Sequence, residues 1–303
     1  MHIAIIGAGA LGTYFGARWL DAGADVTFIV RENRWKQIQK NGLAVHSVLG
    51  DTNVDHATYM KDPSKAKDVD VIVLAVKGYH LDGVIPTIKQ MISDKTFILP
   101  ILNGFEHYAT LQETFGEERV LGGLANIIAT LNEKGHVEHT SNIHELRFGI
   151  LHNKQAGICE RLAKLSEKSN MHAIYSDTIL KDIWYKYMFI TAFSGITTAT
   201  DCAIGQIRRT PETMEIVTKL LNEMKQIANR NEELLNELDV KKAIKTLETL
   251  HEDATSSMHQ DYRKGLTIEL DHLQGYSLQL AKDNHINTPY LETIYSLIKA
   301  KVE

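Results

Sequence analysis

The sequence has few cysteines, no long hydrophobic run and no excess of positive charge. Only two of its 303 residues are cysteines, Cys159 and Cys202, and neither lies in a CxxC or metal-ligand spacing. This excludes a disulfide scaffold and predicts free thiols in a reducing compartment. No apolar stretch approaches the about 18–20 residues of a membrane-spanning helix. The N-terminus lacks the basic segment of a signal peptide, so we expect a cytoplasmic protein with no membrane partner.

The charge balance argues against a nucleic-acid partner. Lys and Arg number 33, Asp and Glu number 38, and the formal net charge is −5, which does not favour binding to a phosphate backbone. Hydrophobic residues make up 44% and charged residues 23%, so the chain is neither disordered nor collagen-like. The length predicts about two domains, each large enough to bury a core.

The first half of the chain alternates apolar and amphipathic segments. Strands are predicted at 3–6, 25–30, 69–76, 96–101, 119–123 and 171–175, with helices that include 84–93 and 156–169. Such alternation is typical of a parallel sheet covered by helices. A period-two pattern at 136–139 and 145–150, with turn residues Ser141 and Asn142 between, predicts an antiparallel hairpin at the sheet edge.

The second half has helical periodicity and no strand pattern. Helices are predicted at 177–198, 211–238, 240–250, 256–264 and 268–284, and Pro289 opens a last one. We therefore predict an α/β fold class, with a parallel-sheet domain over 1–172 followed by an all-helical domain over 177–303.

A glycine-rich loop follows the first predicted strand. It consists of Gly7, Ala8, Gly9, Ala10, Leu11 and Gly12 and fits the pattern GxGxxG between a strand and a helix. Gly7 permits a tight turn, Gly9 lets a pyrophosphate approach the backbone, and Gly12 lets the helix pack on the strand. The helix N-terminus adds unpaired N–H groups. This context predicts a Rossmann-type dinucleotide site rather than a glycine turn that binds nothing.

The end of the second strand carries a basic residue where NAD and NADP enzymes differ. An acidic residue there bonds the ribose 2′-hydroxyl, whereas a basic residue accommodates a 2′-phosphate. Arg31 follows Val30, with Arg34 and Lys36 close behind, and this favours NADPH/NADP+. Glu32 keeps NAD(H) open, because a one-residue shift would bring its carboxylate to the ribose.

Several separated motifs follow one another in an order typical of one enzyme family. They are the glycine loop, Ala75-Val76-Lys77, Leu102-Asn103-Gly104, Trp184-Tyr185-Lys186, and the segment 256–261 (SSMHQD) with Gly265 and Glu269 behind it. This set resembles the ketopantoate reductases (2-dehydropantoate 2-reductases). The resemblance implies NADPH-dependent reduction of 2-dehydropantoate to pantoate, a step toward pantothenate and coenzyme A, between a Rossmann domain and a helical domain. The family includes monomers and dimers, so a homodimer stays open.

The resemblance also implies a role for each matched residue. Lys186 is the implied proton donor, and Glu269 holds the 2-oxo acid substrate. Ser257 binds the carboxylate of the substrate. Asn103 and Lys77 lie near the cofactor and the catalytic centre, and Asn103 is expected to meet both cofactor and substrate.

The residue pattern around Lys186 agrees with such a role. Hydride reduction of a ketone leaves an alkoxide, so a positioned acid must deliver a proton. Ile183 lies three residues before Lys186 and Ile190 four residues after it, so the lysine shares their inward helix face. It can donate the proton and stabilise the alkoxide. The alternative is a lysine that only covers apolar surface.

Ser257 and Glu269 are too far apart on one straight helix to share a face. We expect Gly265 to end one helix and Thr267 to cap the next, with Glu269 in its first turn. Both side chains could then face one cleft. The alternatives are a helix N-terminal hydroxyl for Ser257 and a helix-stabilising acid for Glu269.

Lys77 and Asn103 each follow a predicted buried strand. Ligands bind at this edge of open parallel sheets, where a cation can meet a phosphate or a carboxylate. The alternatives are an exposed lysine at a strand end and a plain Asn-Gly turn.

Three positions depart from the family pattern. Ile190, Ser194 and Ala254 stand where the family usually has asparagine. Ser194 keeps a hydroxyl, and we predict that it binds substrate. A site built to bond the polar groups of dehydropantoate discriminates strongly against other substrates. Because the three asparagine amides are absent here, the alternative that the chain is a paralogue that reduces another 2-oxo acid or ketone stays open.

A nucleotide-sensing function and a metal site fit the sequence less well. A nucleotide-sensing module without turnover would not need Lys186 and Glu269. No metal is expected, because the neighbouring histidines His136, His139 and His144 lie on the predicted hairpin at a spacing that does not converge.

Overall fold

A computed structural model describes residues 1–231 and 234–303. By internal packing the chain divides into a first unit, residues 1–102 and 107–179, and a second unit, residues 103–106 and 180–303. The predicted domains, 1–172 and 177–303, treat each part as one continuous stretch. The short segment 103–106 differs from that description, because it packs with the second unit.

The chain up to residue 175 alternates strands and helices. In order they are β1 (His2–Ile6), α1 (Ala10–Asp21), β2 (Asp25–Ile29), α2 (Glu32–Asn41), β3 (Ala44–Ser47), β4 (Thr52–Asn53), β5 (Thr58–Met60), β6 (Val71–Leu74), α3 (Leu81–Met91), β7 (Phe97–Pro100), α4 (Glu106–Phe115), β8 (Gly122–Leu131), β9 (Val137–Gly149), α5 (Ala156–Ser166) and β10 (His172–Tyr175).

The main sheet of the first unit has five parallel strands in the order β5-β2-β1-β6-β7. All four residues of β6 are buried, which explains its continuous apolar sequence. Ile6 is paired with Ile29 of β2 and with Leu74 of β6, so three strands end together at one edge. The strand order reverses direction at β1, which is where open α/β sheets bind ligands. The predicted Rossmann-type domain is confirmed.

The second sheet differs from the predicted edge hairpin. One 13-residue strand, β9, covers both predicted arms and pairs antiparallel with β8. The turn predicted at Ser141 and Asn142 is wrong, because these residues lie in a bulge where the pairing shifts between Ile127 and Ala129. The chain reverses at residues 132–136 instead, with Gly135 at φ +82°. The predicted strand at 119–123 is likewise the approach to β8, which runs on to Leu131.

The rest of the chain is helical. It contains α6 (Ile179–Thr200), α7 (Ile204–Arg208), α8 (Pro211–Ala228), α9 (Glu237–Thr249), α10 (Ser257–Arg263), a π-helical turn (Asp271–Gly275) that continues into α11 (Tyr276–Asp283), and α12 (Pro289–Val302). Apolar residues of α8 recur every three or four positions and are buried at Val217, Leu220, Leu221, Met224 and Ile227. Each such side chain contributes about 1.5–3 kcal/mol by leaving water. The all-helical character of this half is confirmed.

One predicted helix is divided. The pattern over 211–238 includes residues 232 and 233, which lie outside the described residues, and α8 ends before them at Ala228. The next helix begins at Glu237 because Asn236 caps it. The Asn236 side chain accepts hydrogen bonds from the backbone N–H groups of Leu238 and Asp239, and Asp239 accepts one from Asn236 in return.

Candidate active site

The glycine loop has the backbone geometry of a phosphate-binding turn. Gly7 has φ +106°, and a Cβ on it would lie 2.5 Å from the carbonyl oxygen of Ala75. A Cβ on Gly12 would lie 2.2 Å from the carbonyl oxygen of Gly7. Gly9 instead has no atom within 4 Å of its Cβ position, so the outer side of the loop is open. Ala10 and Leu11 form the first turn of α1, whose N–H groups lack partners inside the helix.

A cavity of about 650 Å³ lies over this loop in the first unit. Gly7, Ala8 and Gly9 line it together with the ends of β1 and β2 and the start of α3. Its volume is in the range of small-molecule and cofactor sites. The open backbone at Gly9 and the helix N-terminus fit the pyrophosphate of a dinucleotide.

The cavity wall carries more positive than negative charge. Arg31, Arg34, Lys61 and Glu32 line it, so both residues that compete for the ribose position reach the cavity. The Glu32 carboxylate accepts a hydrogen bond from Lys61 Nζ at 2.8 Å and lies 3.6 Å from Lys36 Nζ. The hydrogen bond from Lys61 holds the pKa of Glu32 below its ordinary value. The carboxylate of Glu32, which lines the cavity together with Arg31, is thus already paired with lysine.

Arg34 has a role that the sequence did not indicate. Its Nε donates to the carbonyl oxygen of Ala8 at 2.8 Å, and its terminal nitrogens donate to Gln37 at 2.5 Å and to the carbonyl oxygen of Gly135 at 2.8 Å. Burial lowers the pKa of the guanidinium, which stays charged because arginine is not deprotonated in proteins. The sequence favours Arg34, with Arg31, as support for a 2′-phosphate, whereas in the structure its bonds go to two backbone carbonyl oxygens and to the Gln37 side chain.

Lys77 is half-buried and follows β6 at a distance of three residues. Strand β6 ends at Leu74, so the prediction that Lys77 follows the strand directly is corrected by two residues. Lys77 precedes a short turn over Gly78–His80. Val76 and His80 line the cavity, and burial, with Arg31 nearby, lowers the pKa of His80.

In the second unit, Lys186 is half-buried on α6. Ile183 is 3% exposed and Ile190 is half-buried, in agreement with the predicted inward face. Contacts of Trp184, two residues before Lys186, hold this part of the helix in place. Trp184 packs against the ring of Phe105 at 4.3 Å and beneath the guanidinium of Arg230 at 4.9 Å.

Asn103 belongs to the segment 103–106 that packs in the second unit. Gly104 has φ +89°, and a Cβ on it would lie 3.1 Å from the carbonyl oxygen of His272. Glu106 Oε2 lies 2.5 Å from His272 Nδ1. The Asn-Gly pair is therefore not only a turn, because Gly104 and Glu106 both lie against His272, three residues after Glu269.

Glu269 is 2% exposed and lies just before a helix. Its carbonyl oxygen accepts a hydrogen bond from the N–H of Leu273 at 2.9 Å, so Glu269 itself occupies the position that we predicted for Thr267. Thr267 is exposed, and the helix begins two residues later than predicted, so Glu269 precedes its first turn instead of lying within it. Gly265 does end α10, with φ +64° and the paired backbone bonds of a Schellman motif.

Ser257 is exposed and is the first residue of α10. The cap of this helix is Ser256, whose hydroxyl accepts from the N–H of His259 at 3.1 Å and lies 3.0 Å from Thr197 Oγ1. The alternative for Ser257, a hydroxyl at a helix N-terminus, agrees with its place as the first residue of α10, while the capping bond itself is made by Ser256. The Ser257 hydroxyl lies at the surface of the second unit.

Ser194 is only 3% exposed. Its hydroxyl accepts a hydrogen bond from Gln274 Nε2 at 2.9 Å, and the same nitrogen donates to the carbonyl oxygen of Thr191 at 2.9 Å. Ser194 is thus held inside the helical core by its bond to Gln274. Ala254, at the third altered position, is half-buried and contributes its carbonyl oxygen to the N–H of Ile204.

Across residues 1–231 and 234–303, no helix combines the length and apolar character needed to cross a membrane. The same residues include no group of three or more side chains placed to hold a metal ion. His139 and His144 are engaged with Ser47 Oγ at 2.8 Å and Tyr14 Oη at 2.9 Å.

Sequence comparison identifies related proteins over the whole chain. The family model for Ketopantoate reductase PanE/ApbA matches residues 3–153, and that for its C-terminal domain matches residues 178–302. The uncharacterized oxidoreductase YkpB of Bacillus subtilis is 34% identical over 296 residues, covering 98% of this chain and 97% of the relative. A 2-dehydropantoate 2-reductase of Pyrococcus horikoshii is 27% identical over 301 residues, covering 99% of this chain and 97% of the relative.

Solved structures share the fold at lower identity. A 2-dehydropantoate 2-reductase from Geobacter metallireducens has a TM-score of 0.91 and 24% identity, covering 99% of this chain and all (100%) of its own. A D-mandelate dehydrogenase with NADH and anilino(oxo)acetate has a TM-score of 0.89 and 23% identity, covering 100% of this chain and 98% of its own. The two family models together span most of the sequence, so this chain belongs to the ketopantoate reductase family and is an oxidoreductase of that family.

Proposed function

We propose that this oxidoreductase uses NADPH to reduce the ketone of 2-dehydropantoate to the alcohol of pantoate. One observation carries the proposal. The five residues predicted to serve the substrate all belong to the second unit, because segment 103–106 packs there; they are Asn103, Lys186, Ser194, Ser257 and Glu269. The glycine loop and Arg31 belong to the first unit. Apart from Asn103, which is expected to meet both cofactor and substrate, the residues proposed for the cofactor and those proposed for the substrate thus belong to different units.

The preference for NADPH is supported by charge. A 2′-phosphate would meet Arg31, while the competing carboxylate of Glu32 is paired with Lys61. A charge-assisted bond from a guanidinium to a phosphate is stronger than one between neutral groups. When bound, the reduced nicotinamide supplies the hydride for the reaction.

The chain itself has to supply a proton and hold the substrate. As hydride reaches the carbonyl carbon, the carbonyl oxygen gains the electron pair of the double bond, and Lys186 Nζ donates a proton to it. Ketone, hydride and proton together give the alcohol. Glu269 accepts a hydrogen bond from the hydroxyl of the substrate, and Ser257 and Asn103 donate hydrogen bonds to the carboxylate of the substrate. The buried position of Glu269 keeps water from competing for this bond.

A second candidate function is the reduction of another 2-oxo acid with an apolar side group. Ile190 favours it, because a half-buried isoleucine one turn beyond Lys186 offers no hydrogen bond to a substrate hydroxyl. Ser194 is buried and bonded to Gln274, which limits its use as a replacement. A protein of the same fold is named D-mandelate dehydrogenase, and mandelate carries a phenyl group.

The proposal includes a cytoplasmic setting, which the two free thiols of Cys159 and Cys202 support. A structural relative from Staphylococcus aureus is named as dimeric. Light scattering after gel filtration would decide between a monomer and a homodimer for this chain.

The test is a substrate panel followed by the loss of nicotinamide absorbance. We expect NADPH oxidation with 2-dehydropantoate, slower oxidation with NADH, and weak activity with pyruvate and phenylglyoxylate. Turnover of phenylglyoxylate without turnover of dehydropantoate would establish the second candidate instead. Oxidation of neither cofactor with any 2-oxo acid would reject both.

A further inference from the structure

We propose that Arg34 is a positioning residue for the dinucleotide, which orients the glycine loop by holding the carbonyl oxygen of Ala8. It acts through the loop and not through a bond to the 2′-phosphate of the cofactor. The inference rests on the proposed use of a dinucleotide. Arg31 and Arg34, both near the start of α2, would thus have different roles toward the cofactor.

The hydrogen bond to Ala8 fixes the direction of the next N–H group. In a planar trans peptide the C=O of one residue and the N–H of the next point in opposite directions. Arg34 Nε holds the oxygen of Ala8 at 2.8 Å, so the N–H of Gly9 points away from Arg34. Gly9 is the residue beside which the structure is open. A phosphate there would meet an N–H whose orientation is already set, which lowers the ordering cost of binding.

The other bonds of Arg34 hold its guanidinium in place. One terminal nitrogen donates to Gln37 at 2.5 Å and the other to the carbonyl oxygen of Gly135 at 2.8 Å. Gly135 has φ +82°, which favours glycine, and a Cβ on it would lie 2.2 Å from a terminal nitrogen of Arg34, so a side chain there would displace the guanidinium. Asn41 Nδ2 donates to the carbonyl oxygen of Lys134 at 2.9 Å. One face of α2 thereby anchors the β8–β9 turn, and the turn holds the guanidinium against the glycine loop.

Arg31 differs from Arg34 in every respect that matters for this division. Both arginines line the cavity, but Arg31 is exposed and precedes the first residue of α2, whereas Arg34 is half-buried within that helix. Arg34 would have to break its bonds to Ala8 and Gly135 before it could turn to a phosphate. Loss of Arg31 should therefore change the choice between cofactors, whereas loss of Arg34 should change the affinity for both.

The test measures dissociation constants for NADPH and NADH by calorimetry on the full-length protein. Arg34→Ala is expected to weaken both by the same factor, on the order of tenfold, which corresponds to about 1.4 kcal/mol. Arg34→Lys should not restore them, because one ammonium cannot reach Ala8, Gln37 and Gly135 together. Arg31→Ala is the matched control and should weaken NADPH alone. Melting curves without cofactor confirm that each variant is folded.

Several results would overturn the inference. A selective loss of NADPH affinity in Arg34→Ala would mean direct contact with the 2′-phosphate, and unchanged affinities would mean no positioning. If Arg34→Ala does not fold, Gln37→Ala removes the lateral bond to Arg34 together with the 3.5 Å bond from Gln37 Nε2 to the carbonyl oxygen of Glu133. It should weaken both cofactors equally by a smaller factor. A wild-type protein that binds neither cofactor would reject the proposed function as well, which separates the two failures.

Discussion

His272 Nδ1 lies 2.5 Å from Glu106 Oε2, and this pair joins stretches of chain 166 residues apart. The hydrogen bond that the His272 imidazole donates to Glu106 raises the pKa of the imidazole, against an opposing effect of burial, and the charges of Glu106, Glu269 and Asp271 add to the rise. The pair attaches the segment that carries Asn103 to the helix that begins after Glu269. Its charge state is therefore relevant to both the stability and the arrangement of the proposed substrate residues.

We expect the pair to stabilise the protein more at acidic than at alkaline pH. A histidine with a raised pKa contributes stability that is fully present below its unfolded value of about 6.5 and is lost as the pH rises through the higher folded value. His272→Gln should lower stability by a few tenths to about 1 kcal/mol near pH 6, since the pair is partly exposed. Above the folded pKa the difference should vanish.

Melting temperatures from about pH 5.5 to about pH 9, which is about one unit below to about 2.5 units above the ordinary histidine pKa, would check this. The exposed His56 provides the control variant His56→Gln, which should follow the wild type. A His272→Gln deficit that is constant with pH would show that the ring only packs.

Arg31→Ala should raise the KM for NADPH and leave that for NADH nearly unchanged. The guanidinium bond to a 2′-phosphate contributes roughly 1.5–3 kcal/mol, which is about 10- to 150-fold in affinity. Initial rates at varied cofactor concentration measure both constants. Lys36→Ala, which removes the more distant cation beside Glu32, should have a smaller effect. Equal losses for both cofactors would assign Arg31 a role unrelated to the phosphate.

Lys186→Ala should lower kcat by at least about 10²-fold, the low end of general-acid contributions. Cofactor affinity should change little, because Lys186 belongs to the second unit and the cavity to the first. Lys181→Ala is a control on the same helix, as Lys181 Nζ pairs with Asp239 at 3.0 Å. Wild-type turnover in Lys186→Ala would mean that this lysine only covers apolar surface.

Ile190→Asn should lower the KM for dehydropantoate by up to about tenfold if dehydropantoate is the substrate. The reason is one regained hydrogen bond, which contributes about 0.5–1.5 kcal/mol. Ile190→Val keeps the apolar character and should leave the KM near the wild-type value. If Ile190→Asn instead abolishes activity on an apolar 2-oxo acid that the wild type reduces, the isoleucine is a selectivity element for that substrate.

Local features of the chain could be predicted from the sequence. The glycine loop was found because strand, glycines and helix lie within about a dozen residues, and no distant residue is needed to define it. The Schellman motif at Gly265 was found for the same reason.

Features that depend on distant contacts were not found. Ser141 and Asn142 give the same polar signal in a turn and in a bulge, and only the pairing of β8 with β9 distinguishes the two. The task of Arg34 depends on Gly135, 101 residues away. Thr267 was preferred as a cap because threonine is a common capping residue, yet the helix begins after Glu269, which is buried in the second unit.

The packing of segment 103–106 has a consequence for dividing the protein into fragments. A fragment that starts at residue 180 contains Trp184 without the ring of Phe105, and His272 without the carboxylate of Glu106. It exposes an aromatic surface that is covered in the intact chain, and such surfaces promote aggregation. No single cut yields the complete second unit, so its independent expression requires a linked copy of residues 103–106.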